Sequence, residues 1–297
     1  MTLSTVPEQA TVKLPTYTRD RQREARAGEN FPIAAWMLRP SRREARAAIY
    51  GFCRLVDDIG DEQLGDARAQ LRLCQEELLA CYGGRPQHPV FRRLEPVIKR
   101  HQLAPDPFQR LIQANLQDQE KLRYQSWQEL LDYCSLSANP VGELVLALEG
   151  IDDSPRIHLS DSVCTGLQLA NMWQDVASDR ARGRRYLPLQ VLLQHGGSEQ
   201  EWWSGTATSG QRAALAEAVG RARDLLFEGW PLVEKVPGLM RVEMASFILA
   251  GLAATDAVLQ AGDLVFTQKA RLSPGARRRA VLRAATAWRS PAPPTRR

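Results

Sequence analysis

The sequence predicts an all-α fold, a single-domain helical bundle built around a central apolar cavity. Ala, Leu, Arg, Glu and Gln dominate the interior of the chain, apolar residues recur there at three- and four-residue spacing, and no alternating strand pattern survives beyond four or five residues.

The helical periods are clearest over Glu44 to Val56, Ala67 to Cys81, Trp127 to Leu136, Asp161 to Ala177, Gly210 to Trp230 and Arg241 to Gln260. Breaks are expected where Gly and Pro gather: Gly83-Gly84, Pro105 and Pro107, Gly150, Pro155, Gly196-Gly197, Pro237-Gly238 and Pro274-Gly275. Residues 1–27 are polar and read as a mobile N-terminal segment, residues 28–285 as the folded domain, and residues 286–297, Pro-rich and charged, as a disordered tail. No linker divides the interior, and no solenoid-length repeat occurs.

Composition narrows the function classes. The five cysteines form no C-x-x-C pair, which argues against a disulfide framework and a structural zinc site. Reduced thiols in the cytoplasm are the simplest account. The N-terminus has no apolar core of the kind a signal peptide needs. Met244 to Gln260, the most apolar later stretch, contains Asp256 and reads as too short for a membrane span. The formal net charge of +5 suits an anionic substrate or membrane surface, and equally a solvated basic face. Basic residues are not interleaved with aromatics, so nucleic acid is not an expected partner. His88, His101, His158 and His195 are scattered with no Ser or Cys in a nucleophilic arrangement, and no G-x-G-x-x-G supports a nicotinamide site.

The chemistry-bearing signal is a pair of acidic patches. In Arg54-Leu-Val-Asp57-Asp58-Ile-Gly-Asp61-Glu62, Asp57 and Asp61 share one helix face. Like charges at that spacing cost roughly 0.2–0.5 kcal/mol in an isolated helix, which either solvent or a divalent cation can offset. Asn171-Met-Trp-Gln-Asp175-Val-Ala-Ser-Asp179 repeats the spacing at the end of the apolar run Cys164 to Ala170. Two such patches facing each other across a bundle supply four hard oxygen ligands for Mg²⁺, which shares its shell with water and phosphate oxygens, and Mg²⁺ makes a diphosphate a leaving group.

AIYGFCRLVDDIGDE resembles the first aspartate-rich motif of the squalene/phytoene synthase family, NMWQDVASDRARGRRYLP resembles the second, and RYQSWQELLDYCSLSANPVGELVL resembles the central Tyr-Cys helix between them. The similarity runs from about Glu29 to Arg271. It implies that Asp57, Asp61, Asp175 and Asp179 bind Mg²⁺, with Asp58 as support. It implies substrate contacts from Phe31, Tyr50, Arg54, Gln168, Asn171 and Tyr186, and a carbocation-facing role for Tyr133. Tyr50 and Tyr133 have a plainer alternative as buried aromatics, and Arg54 as a structural partner of Asp58 or Glu62. Of Arg180, Arg182, Arg184 and Arg185, at least two are expected to be solvated, because four near neighbours cannot all face one site. Lys269 and Arg271 are weaker diphosphate candidates, and Arg277-Arg278-Arg279 reads as surface.

Two segments, Glu29-Asn30-Phe31-Pro32 and Ser137-Ala138-Asn139-Pro140-Val141-Gly142, are similar to the bacterial hydroxysqualene synthase branch of hopanoid biosynthesis. That branch implies presqualene diphosphate as substrate, its ionisation and rearrangement, and capture by water. Pro140, read as inside a helix, removes the bond to the carbonyl of Leu136, and Asn139 adds an amide at that level, a candidate for holding the water. The alternatives are head-to-head joining of farnesyl or geranylgeranyl diphosphates on the same fold and, from another class, a non-catalytic helical assembly subunit. Coupling to other squalene-pathway enzymes and peripheral contact with the inner face of a membrane are further expectations.

Overall fold

The computed structural model describes residues 13–15, 40–61, 66–204, 207–287 and 293. Phe31, the Glu29–Pro32 segment and most of both termini lie outside the described residues. Among the described residues the fold is all-α, as expected, with no strand; one isolated bridge pairs Arg123 with Arg185.

The helices are α1 (Pro40–Asp61), α2 (Ala67–Tyr82), α3 (Pro89–His101), α4 (Asp106–Gln117), α5 (Trp127–Ser137), α6 (Asn139–Ala147), α7 (Ser154–Gln174), α8 (Val176–Ala181), α9 (Leu189–Gln194), α10 (Glu199–Ser204), α11 (Ser209–Glu228), α12 (Leu232–Lys235), α13 (Met240–Ala261) and α14 (Pro274–Thr286), with a 3₁₀ turn at Gly262–Phe266. Caps set several starts: Asp66 accepts from Ala69 N at 3.0 Å, Asp153 from Arg156 N at 3.1 Å, and Thr208 with Gln211 closes a capping box. Pro155 and Pro274 fall in first turns, where a proline's missing N–H costs nothing. They open helices rather than end them.

α7 is the hub, packed against α5, α6, α11, α12 and α13. Close approach to α11 requires glycine at 166, where a Cβ would stand 2.8 Å from Leu226 Cγ and 3.1 Å from the Ala222 carbonyl. α1 to α4 enclose an apolar cluster in which Phe52 meets Phe91 and Phe108 edge-on at 5.7 and 5.1 Å. Arg46 pairs with Glu243 and Glu149, tying α1 to α13. All five cysteines are free thiols.

Two sequence expectations are corrected. The apolar stretch around Met244 extends further: Met240–Phe266 spans 27 residues, long and apolar enough to cross a membrane, but 67% of its most apolar window is buried, which makes it the core helix of the bundle. Pro140 is not in a helix interior. The chain breaks at Ala138 (φ −119°, ψ −49°) into α5 and α6, and Pro140 lies in the first turn of α6. A helix start has no intrahelical bond for proline to remove.

Candidate functional site

The last turn of α1 carries the first acidic motif. Asp57 is solvent-exposed, with protein packed densely around it. That enclosure pushes its carboxyl up to about 6, a rise opposed by the Asn115 amide, reinforced by Asp61, moderated by Arg54 and reinforced again by Asp58. Asn115 Nδ2, on α4, donates to Asp57 Oδ1 at 3.2 Å. Arg54 lies 2.7 Å from Asp58, so the structural pairing weighed from the sequence is present, and Tyr50 is half-buried one turn earlier.

The second motif straddles a helix joint. α7 ends at Gln174, and Asp175 (φ −99°, ψ 11°) caps it before α8 begins. The turn still keeps the two carboxylates together, because Asp179 N donates to the Asp175 carbonyl at 2.9 Å. Gln168 and Asn171 are half-buried on the α7 stripe leading to Asp175.

Charge pairing brings the motifs to one place. Arg184 Nη1 donates to Asp61 Oδ1 at 3.0 Å. Burial alone would lower the Arg184 pKa, but Tyr186, Asp61 and Asp118 outweigh it and hold it above the ordinary arginine value. Asp179 is pushed up to about 7 by burial and by Asp175, against the pull of Arg184 and Arg182, with Asp61 adding to the rise. Lys269 Nζ takes both oxygens of Asp175, at 2.7 and 2.8 Å.

Beside these charges stand three clustered phenols, of which Tyr124 and Tyr186 are stacked. The Tyr133 ring lies 5.5 Å from Tyr124 and 5.9 Å from Tyr186, which are themselves 5.7 Å apart. Tyr133 Oη donates to Asp118 Oδ2 at 2.6 Å. Burial raises the Asp118 carboxyl to about 6, against the hydrogen bond from Tyr133 and the charge of Arg184. Asn139 is buried where α6 meets α7: its Oδ1 accepts from Thr165 Oγ1 at 2.9 Å.

Asp118 and Asn115 were missed in the sequence. Their signal is a polar continuation of the buried stripe Phe108, Leu111, Ile112 on α4. The four arginines also resolve differently from the expectation of two solvated side chains: only Arg182 is exposed. Arg180 bonds the carbonyls of Trp202 and Phe266, and the buried Arg185 those of Tyr124 and Leu187 and the carboxylate of Glu199, so both are spent away from the two acidic motifs. Of the four, Arg184 makes the ion pair to an acidic motif.

Among the described residues no three carboxylate, imidazole or thiol groups stand close enough to enclose a metal on their own. The arrangement can instead hold an anion through Arg184 and Lys269, or a hard cation shared with an anion's oxygens.

A helical bundle with two acidic motifs converging beside buried phenols is an enzyme architecture of the isoprenoid synthase type. A model of the squalene/phytoene synthase family matches residues 25–278, and the chain belongs to that family. It is 33% identical over 212 residues to a hydroxysqualene synthase of Rhodopseudomonas palustris, covering 70% of this chain and 71% of that one. To a 15-cis-phytoene synthase of Synechococcus elongatus it is 28% identical over 222 residues, covering 70% of this chain and 72% of the other. The crystal structure of the squalene synthase HpnC from Alicyclobacillus acidocaldarius superposes with a TM-score of 0.77 at 39% identity, covering 81% of this chain and 92% of that one. A dehydrosqualene synthase shares the fold at a TM-score of 0.82 and 22% identity, over 91% of this chain and 95% of its own.

Proposed function

We propose that the protein is a Mg²⁺-dependent enzyme that converts presqualene diphosphate to hydroxysqualene. The observation that carries this reading is the Arg184–Asp61 contact, which joins the two acidic motifs beside Tyr133 and Asp118. The likeness to hydroxysqualene synthases, at 33% and 32% identity, supports the choice of reaction.

The donor set fits Mg²⁺. Asp57 and Asp61 on one side and Asp175 and Asp179 on the other are hard oxygen donors, and burial together with neighbouring carboxylates raises Asp57 and Asp179, a cost that a bound cation would relieve. Bound there, the ion would supply charge neutralisation for the departing diphosphate. Arg184 and Lys269, held by Asp61 and Asp175 before substrate arrives, are placed to exchange those partners for diphosphate oxygens. Arg54 does the same from α1.

The C–O bond to diphosphate breaks, both electrons leave with the diphosphate, and a cyclopropylcarbinyl cation remains. Tyr133, Tyr124 and Tyr186 offer ring faces to that charge. After rearrangement, water adds through oxygen and its proton passes to diphosphate or solvent, which gives hydroxysqualene without a reductant. Asn139 holds Thr165 through Oδ1, and its amide nitrogen has no protein partner among the described residues, which suits it to orient the water. In this reading the enzyme works in the cytoplasm against the inner face of the membrane that stores its substrate and product.

The test is product analysis with purified protein, Mg²⁺ and no reductant. Hydroxysqualene from presqualene diphosphate supports the proposal. Presqualene diphosphate formed from farnesyl diphosphate would favour head-to-head prenyl transfer, the reaction to which the phytoene synthase relatives point. Asp57→Ala and Asp175→Ala are each expected to abolish diphosphate release, and turnover retained by either would contradict the metal assignment.

A further inference from the structure

A groove of about 1080 Å³ runs between α11, α13, α14 and the segment 268–273, and Lys269, the partner of Asp175, stands on its rim. Its floor is apolar, formed by Phe227, Leu249, Leu252, Ala253, Ala257 and Ala280. Its rim is basic: Arg223, Lys269, Arg271, Arg279 and Arg283 stand against one acid, Asp256. Asp256 pairs with Arg223 and Asp175 with Lys269, whereas Arg271, Arg279 and Arg283 have no acidic partner among the described residues. α14 carries Arg277, Arg278, Arg279 and Arg283 and no carboxylate.

Exposed leucines lie on, or directly follow, the helices that form this groove. Leu282, between the two rim arginines of α14, is 69% exposed; Leu264 is 56% exposed, and Leu259, at the C-terminal end of α13, 50%. Large aliphatic side chains held in water beside unpaired guanidinium groups have the composition of an interfacial membrane-binding face. A soluble phosphate would satisfy the arginines but give no role to the leucines or the apolar floor. An anionic phospholipid bilayer satisfies all three.

We propose that the α13–α14 groove seats the protein on an anionic bilayer: Arg271, Arg279 and Arg283 take lipid phosphates, and Leu259, Leu264 and Leu282 enter the headgroup boundary. The inference rests on the peripheral-membrane part of the function proposed above and locates the contacting face. It does not depend on which reaction the enzyme performs.

The experiment is co-sedimentation of the full chain with vesicles of phosphatidylglycerol in phosphatidylcholine, and with vesicles of phosphatidylcholine alone. Binding to the anionic vesicles only, weakened by added salt, is the expected result. Arg279→Gln/Arg283→Gln should bind roughly twenty-five-fold more weakly, since each basic residue at such a surface contributes about a fivefold factor. Arg279→Lys/Arg283→Lys should bind like the parent, and Leu282→Asp should weaken binding with the arginines intact. Far-ultraviolet circular dichroism and unfolding temperature should be unchanged in all three. Parent protein that binds neither vesicle overturns the membrane reading itself. Parent protein that binds anionic vesicles while the Gln pair binds equally well overturns this face alone. Competition by inorganic phosphate at matched ionic strength would overturn it in favour of a soluble anion site.

Discussion

Arg184 Nη1 lies 3.0 Å from Asp61 Oδ1, a contact between residues 123 apart in the chain. It connects the acidic end of α1 to the loop that follows the second acidic motif, and Asp118 and Asp179 feel the same guanidinium. One cation thus organises carboxylates from three elements, and it offsets the burial that raises Asp118 and Asp179.

If Arg184 exchanges Asp61 for diphosphate, its removal withdraws a charge contact that strengthens as the leaving group departs. Arg184→Ala is expected to lower kcat/KM about 10²- to 10³-fold, the range for one preorganised donor to a developing anion. Arg184→Lys keeps the charge but not the forked donor, so a loss of about tenfold is expected. Steady-state diphosphate release measures both. A kcat/KM within threefold of the parent for the Ala variant would reduce the contact to a structural tie.

Tyr133 tests the ring against the hydroxyl. Its hydroxyl donates to Asp118 at 2.6 Å, and its ring packs at a tilt against Tyr124 and Tyr186. Tyr133→Phe keeps the ring and removes the donor that opposes the rise of the Asp118 pKa. Asp118 should then titrate above its present value of about 6, which carbon-detected NMR of the carboxyl reads directly. Activity should fall about tenfold. Tyr133→Leu also removes the π face and should cost about tenfold more, if the ring stabilises a cation.

The helical architecture was legible because Ala, Leu, Glu and Arg at 3.6-residue spacing favour one backbone state, and the first motif was legible because Asp57 and Asp61 fall on one helical face. What escaped depends on long-range placement. Asn115 and Asp118 are ordinary polar residues until α4 is laid against α1. Lys269 stands 94 residues from the Asp175 it pairs with. Arg184 and Arg185 are neighbours of identical chemistry, and only the turn after α8 sends one to the carboxylates and the other into the core. Pro140 misled for a local reason: the apolar period continues across Ala138, so α5 and α6 read as one helix.

Gly142, in the same segment, carries a stability prediction. A Cβ there would lie 2.3 Å from Ser160 Oγ and 2.6 Å from Cys164 Sγ, both on the facing side of α7. Neither is the end of a long flexible side chain, so the two helices must separate to admit a methyl group. Gly142→Ala is expected to destabilise the fold by about 1–3 kcal/mol, read as a lower denaturant midpoint at unchanged m-value.

Asp161 provides the pH dependence. Burial raises its carboxyl from the ordinary 3.8 to about 6, with Glu143 reinforcing the rise and Arg110 and His158 opposing it. Its Oδ1 is buried without a partner. Because the folded-state value lies above the unfolded one, the folded protein holds the extra proton between about pH 4 and 6. Stability contributed by the neutral form is therefore present below pH 4, declines as pH rises through that window, and is gone above about 6. Asp161→Asn removes the charge that must otherwise be carried at neutral pH. At about 1.4 kcal/mol per pH unit the rise sets an upper bound, and partial exposure reduces the expected gain at pH 7 to roughly 1–2 kcal/mol. Urea unfolding at pH 4.5 and 7.5 should show the variant gaining on the parent as pH increases. A difference that stays constant between the two would mean that Asp161 titrates at its ordinary value and that its neighbours already satisfy it.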